Sequence, residues 1–575
     1  MKTVNRQLWQ RFLDIASPYW RSEERWHARG LLALLVLLLL SQTAFAVLLN
    51  EQTGEFTSAL AARDGGRFWH AIWLALGLLI GAVPTYACFY WVRDTLGIRW
   101  RRWLTHRFVQ RYFDDHHYYA LNAQASLDNP DQRIAEDINT FTQRSLFFLM
   151  ILIGAAMQLA AFSSVLWDIS RTLVYFLAIY ALAGTYITLR LFGRPLTGLN
   201  FRQLRREADL RFGLVRVREK AEAIALYRGE QQELLQVRQR FAAAYDNYRQ
   251  LIRGQFFLNL FQYGYSMLTI VLPSAIIAER VLAGELEVGM AVRAAGAFTA
   301  VLAAISVIVD NFESLSRFAA GIERLDGFSR QLDGESESES ERAAPLRPAP
   351  GRIESVEGFS GLRLEQVTLQ TPGAERVLVR DLSLAVEPGS SLMVVGASGC
   401  GKSSLLRAIV GLWDSGCGKI LRPHADEMLF LPQQPYMLLG SLRSQLLYPQ
   451  RERQISDERL LELLERVNLP DLARRSGGLD AVLDWEKTLS IGEQQRLAFA
   501  RLLLSRPRYA ILDEATSALD LANERQLYQQ LSESDVTLIS VGHRSTILNY
   551  HSQVLELCGD GSWRTHAAAT YRFHP

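Results

Sequence analysis

The sequence predicts two structural classes in one chain. An α-helical, polytopic membrane half with six transmembrane helices is followed by a soluble α/β half of the P-loop nucleotide-binding kind. Three observations predict this. Apolar runs of about 20 residues crowd the first half, each long enough to cross roughly 30 Å of hydrocarbon. In the second half Leu392-Met393-Val394-Val395 reads as a buried strand and leads straight into Gly396–Ser403, which has the pattern GxxxxGK[ST]. Further on, Tyr509-Ala510-Ile511-Leu512 reads as another buried strand and ends in two acids, Asp513 and Glu514.

The spans read as Gly30–Leu49, His70–Val92, Leu146–Trp167, Leu173–Phe192, Phe257–Val281 and Gly289–Val309. Pro273 interrupts the fifth and Arg293 the sixth. No small-residue cleavage pattern follows the first run, so it reads as a span, not a removed leader. Arginines cluster before the first span, after the second (Arg93 to Arg111) and after the fourth (Arg194 to Arg218). The positive-inside rule then puts both termini in the cytosol. The two basic loops carry helix-like apolar spacing, in Ile134–Ile138 and Val215–Leu226, and read as membrane helices prolonged into the cytosol.

Charges within or at the ends of spans are Arg190, Glu279, Arg293, Asp310 and Glu313. A charge in lipid is costly, so Arg293 is expected to face a water-filled cavity, while snorkelling serves for several of the others. The formal net charge of +2 carries no global basic signal, and nucleic acid is not expected as a partner. Cys88, Cys400, Cys417 and Cys558 are scattered, without a disulfide framework or zinc spacing.

Asp333–Glu341 is acidic and low in complexity, and Pro345, Pro348 and Pro350 follow. Such a stretch cannot bury a core and reads as a tether. The domains are therefore expected at 1–330, 331–360 (linker) and 361–575.

Gly396, Ala397, Ser398, Gly399, Cys400, Gly401, Lys402, Ser403 and Ser404 form the candidate phosphate cradle. Glycines let backbone N–H groups turn toward phosphate, and the helix opening at Ser404 adds its dipole. Lys402 is expected on the β- and γ-phosphates and Ser403 on Mg²⁺. Cys400 lies in the loop without a redox role.

Between loop and acidic strand lies Leu489-Ser490-Ile491-Gly492-Glu493-Gln494-Gln495-Arg496, which resembles the signature of the ATP-binding cassette (ABC). The resemblance implies ATP and Mg²⁺ as cofactors and a second subunit, because the signature contacts ATP held by the partner. It assigns Ser490, Gly492 and Glu493 to that contact and Asp520, in Ser517–Asp520, to the D-loop. Asp513 matches the Walker B metal carboxylate and Glu514 the general base for the attacking water. Gln433, with Gln434 beside it, matches the Q-loop glutamine that senses metal and water. His543, after the strand Val536–Ser540, matches the switch histidine near the γ-phosphate. Where many cassettes stack adenine on an aromatic, this chain offers Thr371.

The whole chain resembles an ABC half-transporter of the exporter-like, type IV architecture. Asp128–Asp137, Glu207–Glu230 and Asn50–Trp69 are similar to segments of the peroxisomal-type (subfamily D) half-transporters; the first is shared with the SbmA/BacA-like peptide permeases. The resemblance implies coupling helices near His117–Asn129 and Glu207–Arg216. It also implies an ATP-hydrolysing homodimer, multi-pass in the lipid bilayer of the bacterial cytoplasmic (inner) membrane. The implied cargo is an amphipathic or hydrophilic small molecule or peptide: a peptide, a cobalamin-like compound or an acyl conjugate. Import and export stay open, as does an ATP-gated channel on the same fold. A soluble cassette protein of translation or repair is the other class, and six spans argue against it.

Overall fold

The computed structural model describes residues 2–123, 130–333, 351–372, 376–450 and 455–573. Two compact units, Met1–Ala344 and Pro345–Pro575, make up the chain.

The first unit is helical: α1 (Lys2–Arg21), α2 (Arg25–Ala61), α3 (Gly65–Phe113), α4 (His117–Ala123), α5 (Ile138–Ile169), α6 (Arg171–Ile187), α7 (Arg194–Glu219), α8 (Ala221–Tyr227), α9 (Glu230–Leu282), α10 (Val288–Asp310) and α11 (Phe312–Leu332). Among the described residues, six helices are long and apolar enough to cross a membrane. They contain the six runs read from the sequence. Four of the helices continue far past their apolar windows.

Small residues set how closely α2 and α10 approach. A Cβ on Gly289 would lie 1.8 Å from the Gly54 carbonyl oxygen, and one on Gly296 would lie 2.0 Å from Asn50 Oδ1. The Gly289 N–H donates to Ser58 Oγ (3.0 Å), and Asn50 Nδ2 donates to the Arg293 carbonyl (3.1 Å). Backbones that close let polar side chains bridge helices where water is scarce. Arg293, expected to face a cavity, stands 3.6 Å from Glu51 in an ion pair across the same seam. The pair partly neutralises the charge that prompted the expectation. The side chains of Asp310 and Glu313 lie outside the described residues.

Entry into α5 runs through one π-helical turn, Arg133–Asp137. Its last residue, Asp137, is buried and accepts from Arg133 Nη1 (3.0 Å), Arg324 Nε (3.1 Å) and Arg324 Nη2 (2.7 Å). Arg324 lies on α11, so this carboxylate ties the first extension, between the second and third spans, to the last helix of the membrane unit.

Of the two segments expected to couple, the second is not a separate helix. Glu207–Arg216 lies in the interior of α7, which is continuous, and the chain reverses after it through α8. Reversal falls where Arg228 takes a left-handed φ of 52° just before Gly229; the helix-like spacing of Val215–Leu226 runs across the interruption at Lys220, between α7 and α8, and stops short of the reversal. Leu226 and Tyr227 at the tip are 77% and 87% exposed. In the first extension α4 begins at His117 as expected, and residues 124–129 lie outside the described residues.

In the second unit a six-stranded sheet has the order β12-β11-β4-β10-β9-β6. Its strands are β4 (Ser391–Gly396), β6 (Met428–Leu431), β9 (Tyr509–Asp513), β10 (Thr537–Val541), β11 (Gln553–Leu557) and β12 (Trp563–Ala567). All pairings are parallel except β11 with β12. β9 and β10 are buried at every residue, the continuous apolar pattern of a sheet covered on both faces. A second sheet pairs β1 (Glu354–Glu357), β5 (Gly416–Arg422), β2 (Leu362–Gln370) and β3 (Val377–Val386) in that order. β1 lies in the stretch read as linker, so this sheet begins before residue 361. Its few residues, Glu354-Ser355-Val356-Glu357, show no apolar run to mark them. Three helices matter for the site: α12 (Lys402–Ile409), α13 (Ile491–Ser505) and α14 (Leu521–Ser532).

The packing of His551 predicts an acid sensitivity. Its Nδ1–H donates to the Ile547 carbonyl (2.9 Å), and its buried Nε2 has no hydrogen-bond partner among the described residues. Burial pushes the imidazole down to about 4 from its ordinary 6.5. The folded form therefore resists a proton that the unfolded chain accepts. Stability is intact above 6.5 and is lost as pH falls from there toward 4, by about 3 kcal/mol at most. The thermal midpoint of the protein should fall across that window more steeply than that of His551→Phe. Parallel curves for the two proteins would refute it.

Candidate functional site

Parallel strands share one carboxyl edge, and the site is built on it. Val541 pairs with Asp513 and with Val394, and Leu431 pairs with Leu512. The residues that follow β4, β6, β9 and β10 therefore emerge together. They are the loop after Gly396, then Gln433, Glu514 and His543. Ligand sites of open α/β sheets lie at this edge for that reason.

The loop from Gly396 to Gly401 requires its glycines. Gly396, Gly399 and Gly401 have φ of 146°, 77° and 104°. A Cβ at Gly396 would lie 2.4 Å from the Leu557 carbonyl, and one at Gly401 would lie 3.0 Å from Leu378 Cβ. Ala397, Ser398 and Gly399 form the exposed rim, while Cys400 is turned into the core. Its thiol is thus a packing group, placed 2.9 Å from where a Gly396 Cβ would be. Lys402 is buried, and its Nζ donates to the carbonyls of Gly396 (2.9 Å) and Ala397 (3.0 Å). The next two residues, Ser403 and Ser404, lie in the first turn of α12.

Ser403 Oγ donates to Asp513 Oδ1 (3.0 Å). Burial pushes the Asp513 carboxyl up, with the Ser403 hydrogen bond opposing. A half-desolvated carboxylate joined to a hydroxyl beside the phosphate loop is an oxygen donor set that fits Mg²⁺.

Glu514 has a left-handed φ of 50°, rare for a residue with a Cβ. Its N–H donates to the Val541 carbonyl (3.2 Å), which holds the turn against β10. The carboxylate is gripped from both sides. Gln433 Nε2 donates to Oε2 (2.9 Å), and His543 Nε2 lies 3.2 Å from Oε1. Of the adjacent glutamines, Gln433 is the one that reaches the acid.

Ser490 is the N-cap of α13 in a full capping box. Its Oγ accepts from the Glu493 N–H (3.3 Å), and its own N–H donates to Glu493 Oε2 (2.9 Å). Glu493 also pairs with Arg475. Gly492 presses on the D-loop, where a Cβ would lie 3.0 Å from the Ala518 carbonyl. Asp520 caps α14, accepting from the Asn523 N–H (2.8 Å) and Nδ2 (2.7 Å); those bonds hold its carboxyl below the usual range. Thr371 sits in the β2–β3 hairpin, where its Oγ1 accepts from the Arg376 N–H (3.1 Å).

Sequence reasoning missed the residues that hold these parts in register. Gln495 is fully buried, and its Nε2 donates to the Gln433 carbonyl (3.1 Å) and Ser517 Oγ (3.2 Å) while its Oε1 accepts from the Ala518 N–H (3.0 Å). One amide thus joins signature helix, Q-loop and D-loop. Arg544 donates to the carbonyls of Leu519 (2.9 Å) and Ser517 (3.2 Å) and pairs with buried Glu524. Arg501, buried on α13, donates to the carbonyls of Gln445 and Tyr436, both at 2.7 Å. The only sequence signal was adjacency: Gln495 stands in the signature and Arg544 follows His543.

Two family models match: ABC transporter transmembrane region 2 over residues 14–282, and ABC transporter over 379–517. An uncharacterized ABC transporter ATP-binding protein of Synechocystis is 45% identical, over 94% of this chain and 82% of its own. The chloroplastic ABC transporter D family member 2 of Arabidopsis thaliana is 39% identical, over 96% of this chain and 86% of its own. The human lysosomal cobalamin transporter ABCD4 is 33% identical, over 97% of this chain and 96% of its own. The chain belongs to the ABC transporters, of the subfamily D type.

The fold of this transporter is that of an exporter. A bacterial Atm1-family ABC exporter solved with ATP bound superposes with a TM-score of 0.76 at 19% identity, over 95% of this chain and 97% of that one. The protein is a multi-pass membrane half-transporter with a fused ATPase that uses ATP with Mg²⁺ and moves a solute.

The Gln495 bridge yields an expected result in this transporter. Gln495→Leu leaves the Gln433 carbonyl and the Ala518 N–H unpaired, at roughly 1 kcal/mol for each lost bond. Turnover of ATP should fall about tenfold with ATP affinity changed less than about twofold. A matched loss in both, measured as kcat and as nucleotide Kd, would mean that Gln495 only supports folding.

Proposed function

We propose that two copies of this chain form a homodimeric, ATP-driven transporter in the bacterial cytoplasmic membrane, with both termini in the cytosol. One chain carries six spans and a single cassette with every phosphate- and water-handling part, so two identical chains suffice. The arginine clusters after the second and fourth spans support the orientation. Domain limits near 1–330 and 361–575 agree with this use, with β1 joined to the second.

The observation that carries the catalytic reading is the Glu514 carboxylate held between Gln433 and His543 beside the Ser403–Asp513 pair. Backbone N–H groups of residues 396–404 and Lys402 bind the phosphates. Ser403, Asp513 and Gln433 hold Mg²⁺, which supplies charge neutralisation at the phosphate oxygens when bound. Glu514 takes the proton of the attacking water, and Gln433 and His543 hold that carboxylate in line. Ser490, Gly492 and Glu493, at the exposed start of α13, serve the partner's ATP, and Asp520 keeps the D-loop beside them.

The solute is hydrophilic or amphipathic, a corrinoid of the cobalamin kind in the first place. The human relative's name supports this. A cavity of about 380 Å³ among α6, α9 and α10 is too small for a whole corrinoid, but its lining is uncharged and includes Thr185, Asn259, Gln262 and Ser306, which fits a hydrogen-bonding portion of such a cargo. Amides and hydroxyls facing a cavity inside apolar helices suit a neutral, hydrogen-bonding cargo.

The test is ATPase activity in proteoliposomes with cyanocobalamin, a short peptide or an acyl-CoA as probe. Cyanocobalamin should stimulate hydrolysis and accumulate on one side. Stimulation by the peptide or acyl-CoA alone would replace the corrinoid assignment. Conductance without ATP-coupled accumulation would replace the pump with a channel.

A further inference from the structure

A cavity of about 900 Å³ lies within the membrane unit, between α1 and the bundle. That volume is in the range of sites that enclose whole small ligands. One wall is the face of α1 that carries Trp9, Leu13 and Trp20 at helical spacing. The facing wall includes Leu149 and Leu152 of α5. These two are 40% and 49% exposed, so the cavity opens on the side that meets hydrocarbon.

Three arginines line the cavity: Arg6 near the start of α1, and Arg21 and Arg29 together at its other end. Arg21 closes α1 and Arg29 lies in the second turn of α2, and both line the cavity. Arg29 Nη2 donates to the Trp20 carbonyl (3.1 Å), which brings its guanidinium to the end of α1 where Arg21 stands. Neither arginine pairs with a carboxylate among the described residues. Arg11 on the same helix does, with Asp326 at 3.4 Å. Two unpaired cations thus flank an apolar cleft just where α2 begins its apolar run at Gly30. Only an amphiphile with an anionic head and apolar tails satisfies both features.

We propose that this cavity holds an anionic phospholipid, its phosphate at Arg21 and Arg29 and its acyl chains along Trp9, Leu13, Leu149 and Leu152. A free phosphate would leave the apolar wall uncovered, and a zwitterionic lipid would bring its own cation against the two arginines. The lipid would brace α1 against α5, so its occupancy belongs to the transporter's support and is independent of the cargo.

The test uses the full-length protein in detergent, titrated with phosphatidylglycerol or phosphatidylcholine and read by native mass spectrometry. Phosphatidylglycerol should be retained on the order of tenfold more tightly. Arg21→Gln/Arg29→Gln should fall to the phosphatidylcholine level. Arg25→Gln, whose side chain does not line the cavity, should keep the preference, and Leu149→Ser should weaken both lipids. Equal retention of the two lipids by the unaltered protein overturns the proposal, as does a preference that survives the double substitution. Loss of preference in Arg25→Gln to the same degree marks diffuse surface charge and also overturns it. Displacement of the lipid by millimolar glycerol phosphate would mark a phosphate site and overturn the lipid assignment.

Discussion

Glu514→Gln should bind ATP normally and hydrolyse it about 10²- to 10⁴-fold more slowly, the span of a lost general base. The substitution is nearly isosteric and keeps the left-handed backbone at this position as occupied as before. It also keeps an oxygen for Gln433 Nε2 to reach, now at 2.9 Å from Oε2. What it removes is the proton acceptor. With hydrolysis stopped and binding intact, ATP-bound dimers should accumulate, visible as a larger species by size exclusion or as cross-linking through cysteines placed in the signature region. Ordinary turnover in this variant would remove Glu514 from the base role. A loss of ATP affinity equal to the loss of turnover would point instead to disruption of the loop after β9.

Asp137→Ala should cost about 3–5 kcal/mol of stability in the membrane half, the range for stripping one partner from a buried ion pair. Arg133 and Arg324 would both lose their acceptor, and the Arg133 side chain is only 12% exposed. The π-helical turn Arg133–Asp137 has this carboxylate as its link to α11. The expected readout is a large drop in the thermal transition of the detergent-solubilised protein, with nucleotide affinity of the cassette unchanged. Asp137→Asn should fall between the two, because it keeps one acceptor but not the charge. Unaltered melting of Asp137→Ala would show that water or lipid headgroups replace the carboxylate.

These two residues mark how unevenly the molecule was legible. Glu514 could be read because its chemistry is local. A buried apolar strand must end somewhere, and two acids at that end, downstream of a phosphate loop, leave few alternatives. The same holds for Gly396–Ser404, whose positive φ values only glycine accepts cheaply. Asp137 stood inside a segment recognised as similar to relatives, yet its partner Arg324 is 187 residues away. No periodicity connects two such positions. Gln495 was overlooked for a related reason: three hydrogen bonds to two distant loops give a fully buried glutamine no local signature.

The tip of the second extension shows the opposite failure. Helix-like spacing runs through Val215–Leu226, across the interruption at Lys220 between α7 and α8, and spacing does not reveal a break. The reversal at Arg228 and Gly229 depends on a backbone angle. Arg293 is comparable, since a lone arginine in an apolar run looks costly until Glu51 comes beside it across the α2–α10 seam.

The sequence by itself determined the class of this protein: six spans, a cassette and the residue types that handle phosphate, metal and water. Length, hydropathy and loop chemistry are properties of contiguous residues, and contiguous residues are what a sequence displays. Only the tertiary structure decided which of Gln433 and Gln434 meets Glu514, what holds Asp137, and that unpaired arginines flank an apolar cleft beside α1. Each depends on groups brought together by parallel strand register or helix packing, and that proximity is created when apolar faces are buried against one another.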